Sequence, residues 1–221
     1  MTDSISLPLA DTTDMIEMHR VFRKCFGAPS ALVGSVPSGD SDRADLVASY
    51  YENVLRLLRV HHAGEDELVT PKLVARNPDR ADLIEAIASQ HTDVIALMDG
   101  AESELAGWRR SPDETSGGAL IRALEQLDAE LTVHLDAEEG EILATAATCM
   151  NVAEWGELPS HGMQHFDGDK RWLVIGLIRE EMSDEHRVAM DAHMPPPIAA
   201  MWVESGQERY RQFIDRLLTP A

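Results

Sequence analysis

Apolar residues over the first two thirds of the chain recur every three or four positions, the period of a helix with one buried face. Leu46, Val47, Tyr50, Val54, Leu57, Leu58 and Leu68 form one stripe. Leu83, Ile84, Ile87, Val94, Ile95 and Met98 form a second, and Leu120, Leu124, Leu127, Leu131 and Ile142 a third. A shorter helix is predicted ahead of them, from the Asp11–Asp14 capping cluster, with Met15, Met18, Phe22 and Phe26 inward and Gly27 and Pro29 ending it. The second helix is predicted from about Ser41 to the vicinity of Thr70, where Pro71 would clash with the Glu67 carbonyl and kink or end it. The third is expected from about Pro78 to Trp108 and the fourth from about Ala119 to Cys149. The Gly-, Pro- and Ser-rich stretch up to Asp40 and the segment SPDETSGG read as connections. Four amphipathic helices on short loops imply an all-α, up-down four-helix bundle over residues 10–150.

The pattern changes after Asn151. EWGELPSHGMQHF is short and mixed, and RWLVIGLIREEM, a break at Pro195–Pro197 and RYRQFIDRLL predict two or three shorter helices. Trp172, Ile175, Ile178 and Met201 among them need a surface to cover. Residues 151–221 are therefore expected as a helical extension packed on the bundle.

Composition narrows the function. A formal charge of −20 disfavours nucleic acid and anionic membrane, which both require clustered Lys and Arg. No apolar run reaches the length of a membrane span. The first residues, MTDSISLPLADTTDM, lack the order of a secretory leader. Cys25 and Cys149 match neither a disulfide framework nor a zinc spacing, so a reduced, cytoplasmic protein is expected.

The chemistry sits on the stripes. His61-x-x-x-Glu65 and His134-x-x-x-Glu138 each place an imidazole and a carboxylate one turn apart on the apolar face. With nine histidines in an acidic chain, roughly one such pair arises by chance, so placement carries the argument. Two carboxylates facing a core are costly unless paired or bound to metal. His19 on the first helix and His91 on the third face the same way. Four imidazoles and two carboxylates from all four helices make a ligand set for two ions, with iron or manganese favoured over structural zinc.

The order H…HxxxE…H…HxxxE, with the strings MHRVFRKCF, HHAGEDELVTPKL and HLDAEEGEIL, resembles the hemerythrin-like family over about residues 10–150. The resemblance implies a non-heme di-iron centre, oxo- or hydroxo-bridged, with manganese a possible substitute. His19, His61, His91 and His134 would bind terminally and Glu65 and Glu138 would bridge. Residues 151–221 are similar to an extension found in some actinobacterial members. Two departures stand out. The second third-helix histidine of the family's oxygen carriers is replaced by Ile87, with Ile95 a turn beyond His91. The fourth-helix carboxylate follows its histidine by four residues rather than five, although Glu139 has the longer spacing. One imidazole is missing, which leaves a coordination position open unless His62, Tyr50, His161 or His165 fills it. His62 reads as a neighbour of the site, His161 and His165 as a solvated pair, and His186 and His193 as surface residues.

The implied function is binding of a small oxidant, O₂ or peroxide, in a peroxide-consuming or redox-sensing role, with turnover left open. The alternatives are an iron-storing or iron-sensing bundle without turnover, and a metal-free helical interaction module.

Overall fold

A computed structural model describes residues 7–166 and 170–219. Residues 1–6, which belong to the opening segment compared with a secretory leader, lie outside them. The first helix, α1 (Thr13–Phe26), ends where expected; the following connection contains a short helix, α2 (Pro29–Val33). Pro29 at its first position explains this, because proline's fixed φ suits a helix start. α3 spans Ser41–Gly64, capped by Asp40, whose carboxylate accepts from the Arg43 N–H.

The helix then widens into a π-turn over Glu65–Val69 and resumes as α4 (Thr70–Arg76). Pro71 therefore ends nothing. It sits in the first turn of the resumed helix, where its missing N–H is not needed. A 3₁₀ turn (Pro78–Arg80) leads into α5 (Ala81–Arg110). α6 (Glu114–Ala137) begins earlier than the apolar stripe, because Asp113 and Ser116 form a reciprocal cap. It too passes through a π-turn, Glu138–Ile142, before α7 (Leu143–Cys149).

Around the bundle α1 packs on α3, α3 on α5, α5 on α6 and α6 on α1, so spatial order equals chain order, as an up-down bundle requires. The interior splits into two apolar clusters. One contains Phe22, Leu58, Val94 and Leu131. The other contains Met15, Val69, Ile87 and Ile142. On every helix the predicted His and Glu positions fall between a member of one cluster and a member of the other. The polar residues thus form a single layer across the bundle.

The rest of the chain holds more helices than expected: α8 (Val152–Trp155), α9 (Glu157–His165), α10 (Arg171–Glu181), α11 (Asp184–His193), α12 (Pro196–Met201), a π-turn (Trp202–Gly206) and α13 (Gln207–Leu218). α9 lies on α3, α10 on α1 and α3, and α13 on α10. Trp172, Leu173, Ile175, Trp202 and Phe213 join the first apolar cluster. Gly176 permits the α10–α13 approach, since a Cβ there would meet the Tyr210 ring at 2.2 Å. Arg43 on α3 donates to the carbonyls of Arg216 and Leu217, serving the otherwise unpaired end of α13. Glu17 on α1 accepts from the Ser183 N–H at 3.0 Å and faces His186 at 2.8 Å.

Candidate metal centre

Helix periodicity brings the layer together. His19 lies one turn before Phe22, and His134 one turn after Leu131, so each inherits an inward direction from a core neighbour. His91 sits between Ile87 and Val94 in the same way. Glu65 and Glu138 are each the first residue of a π-turn, and their carbonyls accept from the N–H groups of Thr70 and Leu143, five residues on. Such widened turns are frequent at functional sites. Both H-x-x-x-E helices are built alike.

Two sets of donors result. One comprises His19, His61, Glu65 and Glu138; the other His62, His91 and His134; the ligand atoms within each lie within 4.8 Å of one another. The carboxylates join them. Glu65 Oε1 is 3.3 Å from His61 Nε2 while its Oε2 is 3.6 Å from His91 Nε2. Glu138 Oε2 is 3.4 Å from His19 Nε2 and 3.5 Å from His134 Nε2. Donors sharing one ion at bonds near 2 Å are about 3–4 Å apart, so the spacing is one that can hold a metal cation, with the two carboxylates lying between the donor sets.

The outward nitrogens are held and the inward ones are not. Nδ1 of His19 is 2.9 Å from Glu139 Oε1, Nδ1 of His91 is 2.8 Å from Asp66 Oδ1, and Nδ1 of His134 is 3.1 Å from Gln90 Oε1. Each partner is an acceptor, so Nδ1 carries the proton and the Nε2 lone pair points inward. Among the described residues, Nε2 of His19, His61, His91 and His134, Oε2 of Glu65 and Glu138, and both nitrogens of His62 are buried without a hydrogen-bond partner. Buried polar atoms left unpaired are costly. Their convergence on one layer is what metal ligands with fixed tautomers look like.

Electrostatics agree. Burial pushes the Glu138 carboxyl up to about 8, with Asp66 and Glu139 adding to the shift, and drives Glu65 well above the ordinary range with Glu138 beside it. Burial takes His19 down to about 4 against the pull of Glu139, and His134 down to about 3 with His91 and His19 contributing. His61 and His62 are lowered for the same reason, with the surrounding imidazoles adding to it. Neutral imidazoles are the metal-binding form. Burial disfavours the charged form of these carboxyls, and a cation beside them would favour it.

All six predicted residues meet here. His62, read as a neighbour of the site, is fully buried: its ring stacks on His91 at 4.2 Å and 13°, and its donor atoms group with those of His91 and His134. The signal was present, since His62 continues a stripe through Leu55, Leu58, Glu65 and Val69, all buried. Glu139 bonds His19 and Arg23 and lies behind the layer. Tyr50 is elsewhere, its ring 5.2 Å from that of Tyr51. His161 is not solvated: its side chain is 9% exposed and packs against Gly64, while His165 is exposed. His186 is likewise no free surface residue, being paired with Glu17.

The family model described as "Hemerythrin HHE cation binding domain" matches residues 11–146. No curated protein and no solved structure matches the chain.

Proposed function

Because the chain belongs to the hemerythrin HHE cation-binding family, we propose that its bundle holds two non-heme iron ions and binds a small oxidant, O₂ or peroxide, at them. Manganese is an acceptable substitute for a donor set of this softness. His19 and His61 serve one ion and His62, His91 and His134 the other, with Glu65 and Glu138 between them. His62 takes the place that Ile87 leaves open on the third helix. When bound, the ions supply Lewis acidity and redox capacity.

The protein's own residues do the rest. Glu139, held by Arg23 at 2.6 Å, together with Asp66 and Gln90, keeps the protons on the outward nitrogens and fixes ring orientation. The apolar clusters above and below the layer exclude water and hold the imidazoles neutral. The observation that carries the reading is the set of buried, unpartnered Nε2 and Oε2 atoms converging from four helices.

The test is anaerobic loading with Fe(II), metal analysis after desalting, and a spectrum before and after peroxide. Two irons per chain and a near-ultraviolet charge-transfer band altered by peroxide are expected. Two irons with no response to peroxide or azide would favour an iron-sensing role, and failure to retain any metal would overturn the reading.

A further inference from the structure

A small cavity of about 10 Å³ abuts the centre on its carboxylate side. Glu65 and Glu138 both reach it, and Met15, Ile84, Ile87 and Trp155 form much of the remaining wall. That volume matches about one water-sized molecule. The wall is apolar apart from the two carboxylates and Thr70, so it suits a ligand of one or two heavy atoms and opposes a larger one.

Trp155 differs from the other wall residues in origin. It lies beyond the matched residues 11–146 and is 5% exposed. Its indole N–H donates to Asp14 Oδ1 at 2.9 Å, and the neighbouring residue on α1, Met15, forms the adjoining wall. The short helix α8 that carries it is anchored from several sides. The Asn151 side chain accepts from the N–H groups of Ala153 and Glu154. Arg76 donates to both Glu154 oxygens and to the Cys149 carbonyl. The segment before α1 pairs with the one before α8, Ala10 N–H to the Met150 carbonyl and Val152 N–H to that of Pro8, each at 3.0 Å. A bulky ring fixed this firmly against a ligand-sized cavity limits what can occupy it.

We propose that Trp155 is a specificity-determining residue of the centre: it caps the cavity at Glu65 and Glu138 and restricts exogenous ligands to the size of O₂ or peroxide. The inference rests on the metal-centre reading above.

The experiment compares azide and peroxide association with the oxidised, iron-loaded protein by stopped-flow absorption, for the wild type, Trp155→Ala and Trp155→Leu, with iron content measured on each sample. Met15→Ala widens the same cavity from α1 and serves if the tryptophan variants fold poorly. Azide, with three heavy atoms, should bind about tenfold faster or more in the widened variants, the scale on which a pocket discriminates by a methylene or two. Peroxide association should change much less. Equal azide rates at equal iron content would leave Trp155 as core packing only and overturn the proposal while sparing the metal centre. Wild-type protein that retains no iron would overturn both.

Discussion

His61 and His62 are consecutive, so their side chains leave the helix about 100° apart, yet both rings lie in one layer. One helix can then serve two ions, each imidazole turned to a different donor set. We expect His62→Ala to lower bound metal from two ions per chain to one, and Glu65→Ala or Glu138→Ala to abolish binding, because each carboxylate contacts both sets. Glu139→Gln should keep the stoichiometry and weaken affinity by roughly 10–100-fold, the usual effect of disturbing a ligand's hydrogen-bond partner. Metal analysis and calorimetry read both; full metal content in His62→Ala would remove it from the ligand set. Titration is linked to the same residues. The metal-free Glu138 carboxyl, raised by burial to about 8, holds its proton at neutral pH, whereas an ion requires it ionised. Metal binding should release protons below pH 8, and affinity should fall as pH falls. For the metal-free fold the sign is set by a raised carboxyl value: the destabilisation is absent below the ordinary 4.5 and complete above about 8. Calorimetry at pH 7 in two buffers of different ionisation enthalpy would detect the release, and identical heats would refute it.

At the scale of elements, the two π-turns of the bundle show how irregular backbone is placed where ligands are needed. Each starts at a central glutamate, and the one in the second helix lets the chain continue through Pro71. The contact between α1 and α11 is the pH-sensitive element. Burial lowers the His186 value, but Glu17 at 2.8 Å, with Asp14 and Asp11 behind it, outweighs this and raises the net value above 6.5. A raised histidine stabilises fully below pH 6.5 and loses that contribution as pH rises through the folded value. Hydrogen exchange in α10 and α11 should therefore quicken between pH 6 and 8, after correction for the intrinsic rate, and Glu17→Gln should flatten that dependence. A corrected rate independent of pH in the wild type would make the contact merely steric.

For the whole molecule, a metal held by residues that only the fold brings together should stabilise the folded chain. At free metal about 100 times Kd, each site adds about 2.7 kcal/mol, which for a chain of this size raises Tm by roughly 5–10 °C. Thermal unfolding with and without chelator at pH 7 checks this, and an unchanged midpoint would contradict a core metal centre. The bundle and six of the seven layer residues were legible in the sequence, because a 3.6-residue period and an i,i+4 spacing are local properties that survive without knowledge of neighbours. His62 was placed only as a neighbour, because the stripe followed was the one through His61, although His62 continues a second buried stripe with Leu55, Leu58, Glu65 and Val69. The His62 ring meets His91 on α5 and His134 on α6, a packing of separate helices that no local pattern reveals. The same holds for Trp155 and for the pairing of His186 with Glu17. Local periodicity determined which side chains could face inward together; only the packing of distant segments decided which carboxylate meets which imidazole and what closes over them.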